Sequence, residues 1–311
     1  MNKILVTGGA GAIGSNVVAI LRQQGHGVTV LDDLSSGHRQ FVPKDVEFIE
    51  GSITDDASLT KAFAGKPDYV LHMAALFANQ NSVDHPVTDL DVNGLGTLKV
   101  LEQCSQNNVR KVVYTSSSCV YGHKELMDEN DVHYDLDTPY AVTKLMGEHY
   151  CRLWSRYQKL DTVILRLFNT YGPGEFPGRY RNVVPNFIKE AMAGRPLTIT
   201  GTGEESRDFN FVEDTARGIV AALFAATKPA DVFNIASGRE TRIIDLANKI
   251  NTLTGNRAGV NFAPRRAWDS VLRRRGNIEK AQGAFGYRAQ TTIDDGLQRT
   301  YAWLKQNAAD A

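Results

Sequence analysis

A tyrosine and a lysine four residues apart are the side chains of this 311-residue chain best suited to proton transfer. Tyr140 and Lys144 lie in the segment YAVTK, and on a helix residues at i and i+4 project from one face. A free phenol is a poor base near neutral pH, because its pKa is about 10. A neighbouring ammonium favours the phenolate, so the pair could act as a general base. The same spacing also occurs on ordinary solvated helix faces.

Hydroxyl side chains precede this pair at the predicted end of a strand. The run TSSSCVYG covers residues 115–122 and follows the apolar segment KVVY. Open α/β sheets bind their ligands at the carboxyl ends of the strands. These hydroxyls are therefore expected at a ligand site.

A glycine turn near the N-terminus has the spacing of a dinucleotide-binding site. Gly8, Gly11 and Gly14 follow one predicted strand and open a predicted helix. Such glycines permit a tight turn, a close approach of the backbone to pyrophosphate, and packing of helix on strand, with the positive end of the helix dipole facing the charge. Other tight turns also collect glycine, so the motif requires a second signal.

Two aspartates at the end of the second predicted strand supply that signal. Asp32 and Asp33 lie about where dinucleotide-binding folds carry the acid that binds ribose. Asp32 would accept hydrogen bonds from both ribose hydroxyls and would repel a 2′-phosphate. The sequence therefore predicts NAD rather than NADP, and the positive nicotinamide ring would further favour a phenolate. The alternative is that the two aspartates only begin a turn.

The elements that must position these residues alternate along the first half of the chain. The predicted strands are Lys3–Thr7, Gly27–Leu31, Val46–Glu50, Tyr69–Met73, Lys111–Ser116 and Thr162–Phe168. Predicted helices between them include Ile13–Gln24, Thr97–Asn107 and Tyr140–Tyr157. This alternation is typical of an α/β fold with a doubly wound parallel sheet of the Rossmann type.

Beyond Asn169 the alternation breaks and arginines become frequent, as in residues 265–275. We predict a smaller C-terminal α/β lobe that presents cations to the substrate. Residues 1–168 are assigned to the NAD-binding domain, completed by part of 208–236. Residues 169–207 and 237–311 are assigned to the substrate-binding lobe.

The bulk composition excludes several classes of protein. Lysine plus arginine and aspartate plus glutamate number 35 each, so no net field recruits nucleic acid or a membrane surface. The three cysteines are odd in number and lack metal-ligand spacing, which argues against a disulfide framework and against a metal site. No secretory leader or membrane-spanning run is found, and we expect a cytoplasmic protein.

Several motifs, in order, carry a resemblance to a known family. TGGAGAIGS, HMAA, DVNGLGT, SSSCVYG and YAVTK, followed by RLFNTYG, GTGEESRDFNFVED and PRRAWD, resemble the extended short-chain dehydrogenase/reductase family. Within it the chain is most similar to the UDP-galactose 4-epimerases. The resemblance implies NAD as cofactor and a nucleotide-sugar as substrate. It also implies a homodimer joined through the helices near Thr97–Asn107 and Tyr140–Tyr157.

The resemblance assigns roles around the cofactor. Tyr140 matches the base, Lys144 the residue that holds ribose and lowers the tyrosine pKa, and Ser117 the hydroxyl that binds the sugar oxygen. Ser116 and Ser118 flank Ser117, so this register could differ by one. The cofactor-binding residues implied are Gly8, Gly11, Ala12, Ile13, Gly14, Asp32, Asp33, Ser35, Ser36, Gly37, Ser52, Ile53, Met73, Ala74, Ala75, Asn93, Tyr140 and Lys144.

Three positions near the cofactor carry alternatives or departures. Asn93 could instead cap a helix. Ser52 occupies a place where the family usually has an acid beside adenine. We expect His72 to be structural rather than a base.

The resemblance also places the nucleotide-sugar. Diphosphates are commonly bound by arginine, whose planar fork matches phosphate oxygens. The substrate-binding residues implied are Ser117, Ser118, Asn169, Asn182, Val183, Thr198, Arg207, Arg266 and Asp269. Thr200 stands where an aromatic residue is usual and Trp268 where glycine is usual, so UDP is favoured as carrier without being fixed.

One arginine leaves the sugar undecided. Arg273 lies where the resemblance places a gating side chain, and it could narrow the pocket or bind a uronate carboxylate. For the run Arg273–Arg275, however, the commoner expectation is three solvated surface charges.

The residues at positions 118 and 119 favour one reaction of the family. Dehydratases usually carry Asp-Glu there and decarboxylases a glutamate at the second position, whereas this chain has Ser118-Cys119. We therefore predict a 4-epimerase acting on a UDP-hexose or UDP-hexuronate, with a reductase or dehydratase as the alternative. A non-catalytic dinucleotide-sensing protein is the alternative from another class, because fold does not fix function.

Overall fold

The structure is a computed structural model that describes residues 1–131, 133–269 and 271–307. Within these ranges the strands are β1 (Lys3–Thr7), β2 (Gly27–Asp32), β3 (Glu47–Glu50), β4 (Tyr69–His72), β5 (Lys111–Ser117), β6 (Leu126–Met127), β7 (Asp161–Leu167), β8 (Asn169–Tyr171), β9 (Leu197–Thr200), β10 (Ser206–Arg207), β11 (Phe209–Phe211), β12 (Asp231–Ile235), β13 (Thr241–Arg242), β14 (Val260–Ala263) and β15 (Arg275–Gly276). The α-helices are α1 (Ala12–Gln23), α2 (Asp56–Phe63), α3 (Asn79–Asp84), α4 (Pro86–Asp89), α5 (Thr97–Gln106), α6 (Pro139–Tyr157), α7 (Val183–Met192), α8 (Val212–Phe224), α9 (Ile243–Thr254), α10 (Glu279–Phe285) and α11 (Ile293–Gln306). A π-helical stretch, Leu90–Gly96, joins α4 to α5.

A parallel sheet forms the main layer, in the strand order β12-β7-β5-β4-β1-β2-β3. The predicted α/β fold with a doubly wound sheet is confirmed, and each predicted strand begins and ends within one residue of the observed one. The last strand of the sheet, β12, comes from late in the chain and pairs with β7. The strand order reverses at β1, which lies between β2 and β4, and ligands of such sheets bind at the carboxyl ends beside this reversal.

Apolar runs in the strands explain why the sheet is covered on both faces. The side chains of β1 and β5 are almost continuously buried, as expected for parallel strands between two helical layers. On one face α1 and α8 pack against the sheet, with Val17, Val18, Leu21, Ile219 and Leu223 in the core. On the other face the core includes Leu59, Phe63, Val100, Leu101 and Cys151 from α2, α5 and α6.

A separate core lies in the C-terminal part of the chain. Helices α7, α9 and α11 bury Val184, Phe187, Ile188, Leu246, Ile250 and Leu297 together with residues of β9 and β11. The pairing of β15 with β6 also brings residues 275 and 276 against residues 126 and 127. The segment just before β15 therefore returns to the strand ends of the main sheet.

Among the described residues, no helix has both the length and the apolar character needed to cross a membrane.

Candidate active site

A cleft of about 540 Å³ lies at the carboxyl ends of the central strands, between the main sheet and the C-terminal core. All but one of the predicted site residues line this cleft, from the glycine turn at Gly8 to the Asp269 carboxylate. The exception is Asn93. The cleft thus brings together three segments that are far apart in the sequence. They are the glycine turn, the YAVTK helix and the arginine-rich segment.

The glycine turn forms a cradle that side chains would fill. Gly8 has φ +72, and a Cβ there would lie 2.6 Å from the backbone nitrogen of Ala74. A Cβ at Gly14 would collide with the carbonyl oxygen of Gly8. Helix α1 begins directly after Gly11, and no side chain in the described ranges caps it. Its first N–H groups and its dipole are therefore available to an anion, which fits a pyrophosphate.

Asp32 closes the other side of this cradle. Its Oδ2 accepts a hydrogen bond from Ala10 N at 2.8 Å, and its Oδ1 accepts one from Leu34 N at 2.9 Å. Burial raises the pKa of this carboxyl, and the two backbone hydrogen bonds oppose that shift. The carboxylate therefore holds the glycine turn and the following loop, and each oxygen keeps a lone pair for a ligand hydroxyl.

Helix α6 delivers Tyr140 to the cleft. Thr138 caps the helix by accepting a hydrogen bond from Ala141 N at 3.3 Å, and Pro139 occupies the first helical position, where its missing N–H costs nothing. The backbone N–H of Tyr140 is not free, because it donates to Ser82 Oγ at 3.1 Å. The start of the helix, and with it the phenol, is fixed from two directions.

Lys144 lies one turn further along α6 on the same face. Its Nζ donates to the carbonyl oxygen of Thr115 at 3.0 Å and lies 5.7 Å from the centre of the Tyr140 ring. Burial lowers the pKa of Lys144 to about 8, although Asp89 opposes the shift. The ammonium is therefore held against the end of β5 rather than in solvent.

Burial, rather than Lys144, has the largest effect on the pKa of Tyr140. The pKa of the phenol is raised well above its usual value by burial and by nearby Cys119 and Asp89, while a hydrogen bond with Ser117 lowers it. The sequence led us to expect that the ammonium of Lys144 and a nicotinamide ring favour the phenolate, whereas burial has the largest effect on the pKa of Tyr140 in this structure. A phenolate at this position needs positive charge to offset the burial.

Ser117, rather than Ser116, faces the tyrosine. The side chain of Ser116 is buried and donates to Glu148 Oε1 at 2.7 Å, behind the cleft. Ser117 lines the cleft and lowers the pKa of Tyr140, and its Oγ accepts a hydrogen bond from Cys119 N at 3.2 Å. The sequence left open whether the expected hydroxyl belongs to Ser117 or to one of its neighbours. Of Ser116 and Ser117, the structure favours Ser117.

His72 is a structural residue, as predicted. It is buried, with Nδ1 at 2.8 Å from Thr7 Oγ1 and Nε2 at 3.0 Å from Thr97 Oγ1. Burial, together with the charge of Lys144, lowers the pKa of His72 to about 3. A neutral, fully enclosed imidazole ties β1, β4 and α5 together.

Asn93 requires a correction, because it lies behind the cleft wall instead of on it. Its Oδ1 accepts from Leu76 N at 2.9 Å, and its Nδ2 donates to Leu76 O at 3.1 Å and to Asp89 Oδ1 at 2.6 Å. These bonds use both Nδ2 hydrogens and one lone pair of Oδ1, and the residue is buried. It can therefore act on a cofactor only by holding the cleft-lining backbone at Leu76. It is not a helix cap either, because it lies within the π-helical stretch.

The substrate lobe contributes an ion pair to the cleft. Arg207 Nη2 lies 2.8 Å from Asp269 Oδ1, and burial and the proximity of Arg274 lower the pKa of Arg207. The guanidinium of Arg266 stacks on Trp268 at 5.6 Å from the ring centre. Asn182 precedes α7, and its Nδ2 donates to Thr170 O at 3.2 Å.

Arg274 is a cleft residue that the sequence analysis missed. The run of three arginines was expected on the surface, but Arg274 is only 8% exposed and lines the cleft. Its neighbour Arg273 is exposed, does not line the cleft, and pairs with Glu240 at 2.8 Å and Glu125 at 3.7 Å. Neighbouring side chains of an extended segment point to opposite sides, and this alternation would have distinguished Arg273 from Arg274. The sequence around them does not show that the segment is extended, because β15 pairs with β6, which is far away in the chain.

The part of the chain that the structure describes contains no cluster of histidine, cysteine and carboxylate side chains able to hold a metal ion. The groups that converge on the reactive end of the cleft are a phenol, an ammonium and a hydroxyl. Such a set can move a proton to and from a ligand oxygen.

Known proteins are similar to this chain in sequence and in fold. The model of the NAD dependent epimerase/dehydratase family matches residues 4–236. UDP-glucose 4-epimerase of Mycolicibacterium smegmatis is 35% identical over 98% of this chain and 99% of its own length. The structure of epimerase Mth375 from Methanothermobacter thermautotrophicus superposes with a TM-score of 0.97 at 46% identity, over 99% of this chain and 93% of that one.

A further structure holds ligands of the predicted kind. WbmF of Bordetella bronchiseptica, solved in complex with NAD+ and UDP, has a TM-score of 0.88 at 40% identity, over 99% of this chain and 94% of that one. The family match covers most of the chain, and the relatives align over nearly its whole length. The chain belongs to the NAD dependent epimerase/dehydratase family.

Proposed function

We propose that this protein is an NAD-dependent 4-epimerase of nucleotide-sugars carried by UDP. One observation carries the proposal: Ser117, Tyr140 and Lys144 meet in a cleft that continues on one side to the glycine turn and on the other to Arg207 and Asp269. A dinucleotide and a nucleotide-sugar could therefore approach the same phenol from opposite ends. The complex of WbmF with NAD+ and UDP supports this pairing of ligands.

The residues of the cleft fit NAD. The cradle at Gly8 and Gly14 has no room for a side chain, and the uncapped start of α1 suits the pyrophosphate. Asp32 would bind the adenosine ribose, and Ser52 and Ile53 would lie beside adenine. When bound, NAD would supply reversible acceptance of a hydride from the sugar C4.

The remaining predicted cofactor residues surround these contacts. We propose Gly11, Ala12 and Ile13 for the pyrophosphate, and the loop residues next to Asp32 for the adenosine half. The loop residues are Asp33, Ser35, Ser36 and Gly37, and the backbone of Met73, Ala74 and Ala75 forms the opposite wall.

Tyr140 would be the group that moves the proton. As a phenolate it accepts the proton of the sugar 4-hydroxyl while C4 is oxidised to a ketone, and Ser117 hydrogen-bonds the same oxygen. Tyr140 then returns the proton to that oxygen when C4 is reduced on its other face, so the phenol ends each cycle as it began. The ammonium of Lys144 would stabilise the phenolate in a site where burial otherwise disfavours it.

The nucleotide-sugar would lie along the C-terminal part of the cleft. Arg207 and Arg266 would bind the diphosphate and Asp269 the uridine ribose, while Asn169 and Asn182 would contact the phosphate side. The further lining residues Ser118, Val183 and Thr198 complete this half of the proposed site. This division corresponds to a cofactor domain of residues 1–168, completed within 208–236, and a substrate lobe of 169–207 and 237–311.

We also propose a cytoplasmic homodimer joined through α5 and α6. Apolar side chains on the outer face support this interface, because Val142 and Leu153 of α6 are exposed, as are Leu90 and Leu95 just before α5. Large exposed apolar groups on adjoining helices are a feature of protein interfaces.

A direct experiment separates this proposal from its alternatives. Purified protein is assayed for tightly bound NAD and then incubated with several UDP-sugars without added reductant, and the sugars are analysed by NMR. Formation of the 4-epimer supports the proposal. Stoichiometric consumption of added NADH would indicate a reductase, loss of water a dehydratase, and bound cofactor without any turnover a non-catalytic dinucleotide-sensing protein.

A further inference from the structure

Arg274 is a buried cation in the cleft, and the described residues give it no acidic partner. Its side chain is 8% exposed, and its Nη1 contacts Cys119 Sγ at 3.6 Å, a weak acceptor. Its Nε is buried and has no hydrogen-bond partner among the described residues. Within the described part of the chain, no carboxylate oxygen lies within 4.0 Å of its guanidinium.

Arg207, Arg166 and Arg273 differ from Arg274, because each has an acidic partner. Arg207 pairs with Asp269 at 2.8 Å, and the buried Arg166 pairs with Glu148 at 2.9 Å. The exposed Arg273 pairs with Glu240 at 2.8 Å. Removing a guanidinium from water without an opposite charge is unfavourable, and proteins keep such groups where a ligand supplies the charge.

Arg274 is close both to the groups around the Tyr140 phenol and to Arg207. Cys119, which it touches, lies two residues beyond Ser117 and contributes to the electrostatic environment of the Tyr140 phenol. The charge of Arg274 also lowers the pKa of Arg207. In the proposed function Ser117 and Tyr140 bind the sugar C4 oxygen and Arg207 binds a phosphate, so the sugar is the part of the ligand that we expect beside Arg274.

We propose that Arg274 binds a carboxylate on the sugar of the nucleotide-sugar, near the carbon that is epimerised. This inference rests on the proposed function, and it names the class of substrate: acidic UDP-sugars in preference to neutral ones. A hexuronate carries the carboxylate at C6, and a muramic acid carries it on a lactyl ether at C3. Guanidinium and carboxylate match as a bidentate pair, which a neutral hydroxymethyl group cannot form.

The test compares sugars and variants in the NAD-loaded full-length protein. UDP-glucuronate and UDP-N-acetylglucosaminuronate are assayed beside UDP-glucose and UDP-N-acetylglucosamine, with UDP-N-acetylmuramate as the second source of a carboxylate. We expect kcat/KM for at least one acidic sugar to exceed kcat/KM for its neutral counterpart by about 100-fold. This is the effect of a hydrogen bond between charged groups that the neutral sugar cannot form. The acidic sugar that is preferred identifies the source.

Two variants assign the preference to Arg274. Arg274→Met should lower kcat/KM for the preferred acidic sugar by about 100-fold and leave the neutral sugars within about threefold. Arg274→Lys, which keeps the charge, should recover part of the loss. Arg273→Met is the matched control, because its side chain lies outside the cleft, and it should leave the preference unchanged.

Three results would overturn the inference. They are equal or better turnover of neutral sugars by the unmodified protein, an equal loss on neutral and acidic sugars in Arg274→Met, or a preference that depends on Arg273.

If no UDP-sugar is epimerised, the proposed function fails, and calorimetric binding of UDP-glucuronate, UDP-N-acetylmuramate and UDP-glucose still tests Arg274. Tighter binding of an acidic sugar that is abolished by Arg274→Met would support its role, and equal affinities for acidic and neutral sugars would overturn it.

Discussion

Arg166 and Glu148 form a bidentate ion pair beneath the helix that carries the candidate catalytic tyrosine. Arg166 Nε lies 2.9 Å from Glu148 Oε1, and Nη2 lies 2.9 Å from Oε2, with side-chain exposures of 1% and 0%. Glu148 Oε1 also accepts from Ser116 Oγ at 2.7 Å. One carboxylate thus joins α6, β7 and β5, and it fixes where Ser117 and Tyr140 stand relative to each other.

Removing one partner of this pair should destabilise the protein strongly. Glu148→Gln leaves a buried guanidinium without its charge partner, and we expect a loss of about 3–5 kcal/mol in the free energy of unfolding, measured by urea denaturation. Arg152→Ala serves as control, because Arg152 meets the same carboxylate at 3.6 Å from a more exposed position; its effect should stay below about 1 kcal/mol. A Glu148→Gln protein as stable as the parent would contradict the positioning role.

Tyr140→Phe should separate folding from catalysis. The ring keeps its packing and only the hydroxyl is lost, so the thermal midpoint and NAD binding should change little. We expect kcat to fall by about 10²–10⁴-fold, the usual contribution of a positioned acid–base group. Tyr134→Phe is the matched control, since Tyr134 is 91% exposed. Unchanged turnover in Tyr140→Phe would remove the phenol from the proposed mechanism.

Local patterns predicted much of the fold and of the cofactor half of the site. The glycine turn, Asp32 and the Tyr140–Lys144 spacing each lie within one strand–turn–helix segment, where period and turn chemistry fix the geometry. Arg274 was misplaced because its burial depends on the pairing of β15 with β6, about 150 residues apart in the chain. Asn93 was misplaced because a π-helical stretch turns its amide toward Leu76.

His72 should make stability depend on pH in the acid range. Its pKa is about 3 in the folded chain and 6.5 when exposed, so the unfolded chain binds more protons between these values. The free energy of unfolding should therefore fall as the pH falls from 6.5 toward 3, by about 1.4 kcal/mol per pH unit from this group.

The variant His72→Asn tests that sign. It should lower stability at pH 7 by about 1–3 kcal/mol, because Thr7 and Thr97 lose their partner. It should also lose less stability than the parent between pH 7 and pH 5, in urea titrations at both values. His149→Asn, on the exposed side of α6, is the control and should keep the pH dependence of the parent. An identical pH dependence in His72→Asn would show that the imidazole is not held neutral.

Asp32 should determine the choice of cofactor. Hydrogen bonds from Ala10 N and Leu34 N hold its carboxylate in place. Its negative charge is therefore fixed at the position where the 2′-phosphate of NADP would bind, and it would repel that phosphate. Asp32→Ala should weaken NAD binding by about 10-fold or more, through loss of hydrogen bonds to the ribose, and should narrow the difference between NAD and NADP. Dissociation constants for both cofactors measure this. Glu50→Ala, at the neighbouring strand end in register with Asp32, should alter neither constant.

A hydrogen bond across the cleft should control how long the substrate stays bound. Trp268 Nε1 donates to Gln80 Oε1 at 2.9 Å, which joins the arginine-rich segment of the substrate lobe to α3. Trp268→Phe keeps a ring but removes the donor, and Gln80→Leu removes the acceptor. A bond worth about 0.5–1.5 kcal/mol predicts that each change accelerates nucleotide-sugar release by about 2- to 10-fold.

The double variant distinguishes this bond from two separate packing effects. Because both single changes remove the same interaction, Trp268→Phe combined with Gln80→Leu should release the nucleotide-sugar no faster than the more affected single variant. Stopped-flow release of UDP-glucose or UDP-glucuronate from the NAD-loaded protein measures all four rates. Multiplicative effects in the double variant would mean that the two side chains act independently and that the bond across the cleft does not hold the substrate in place.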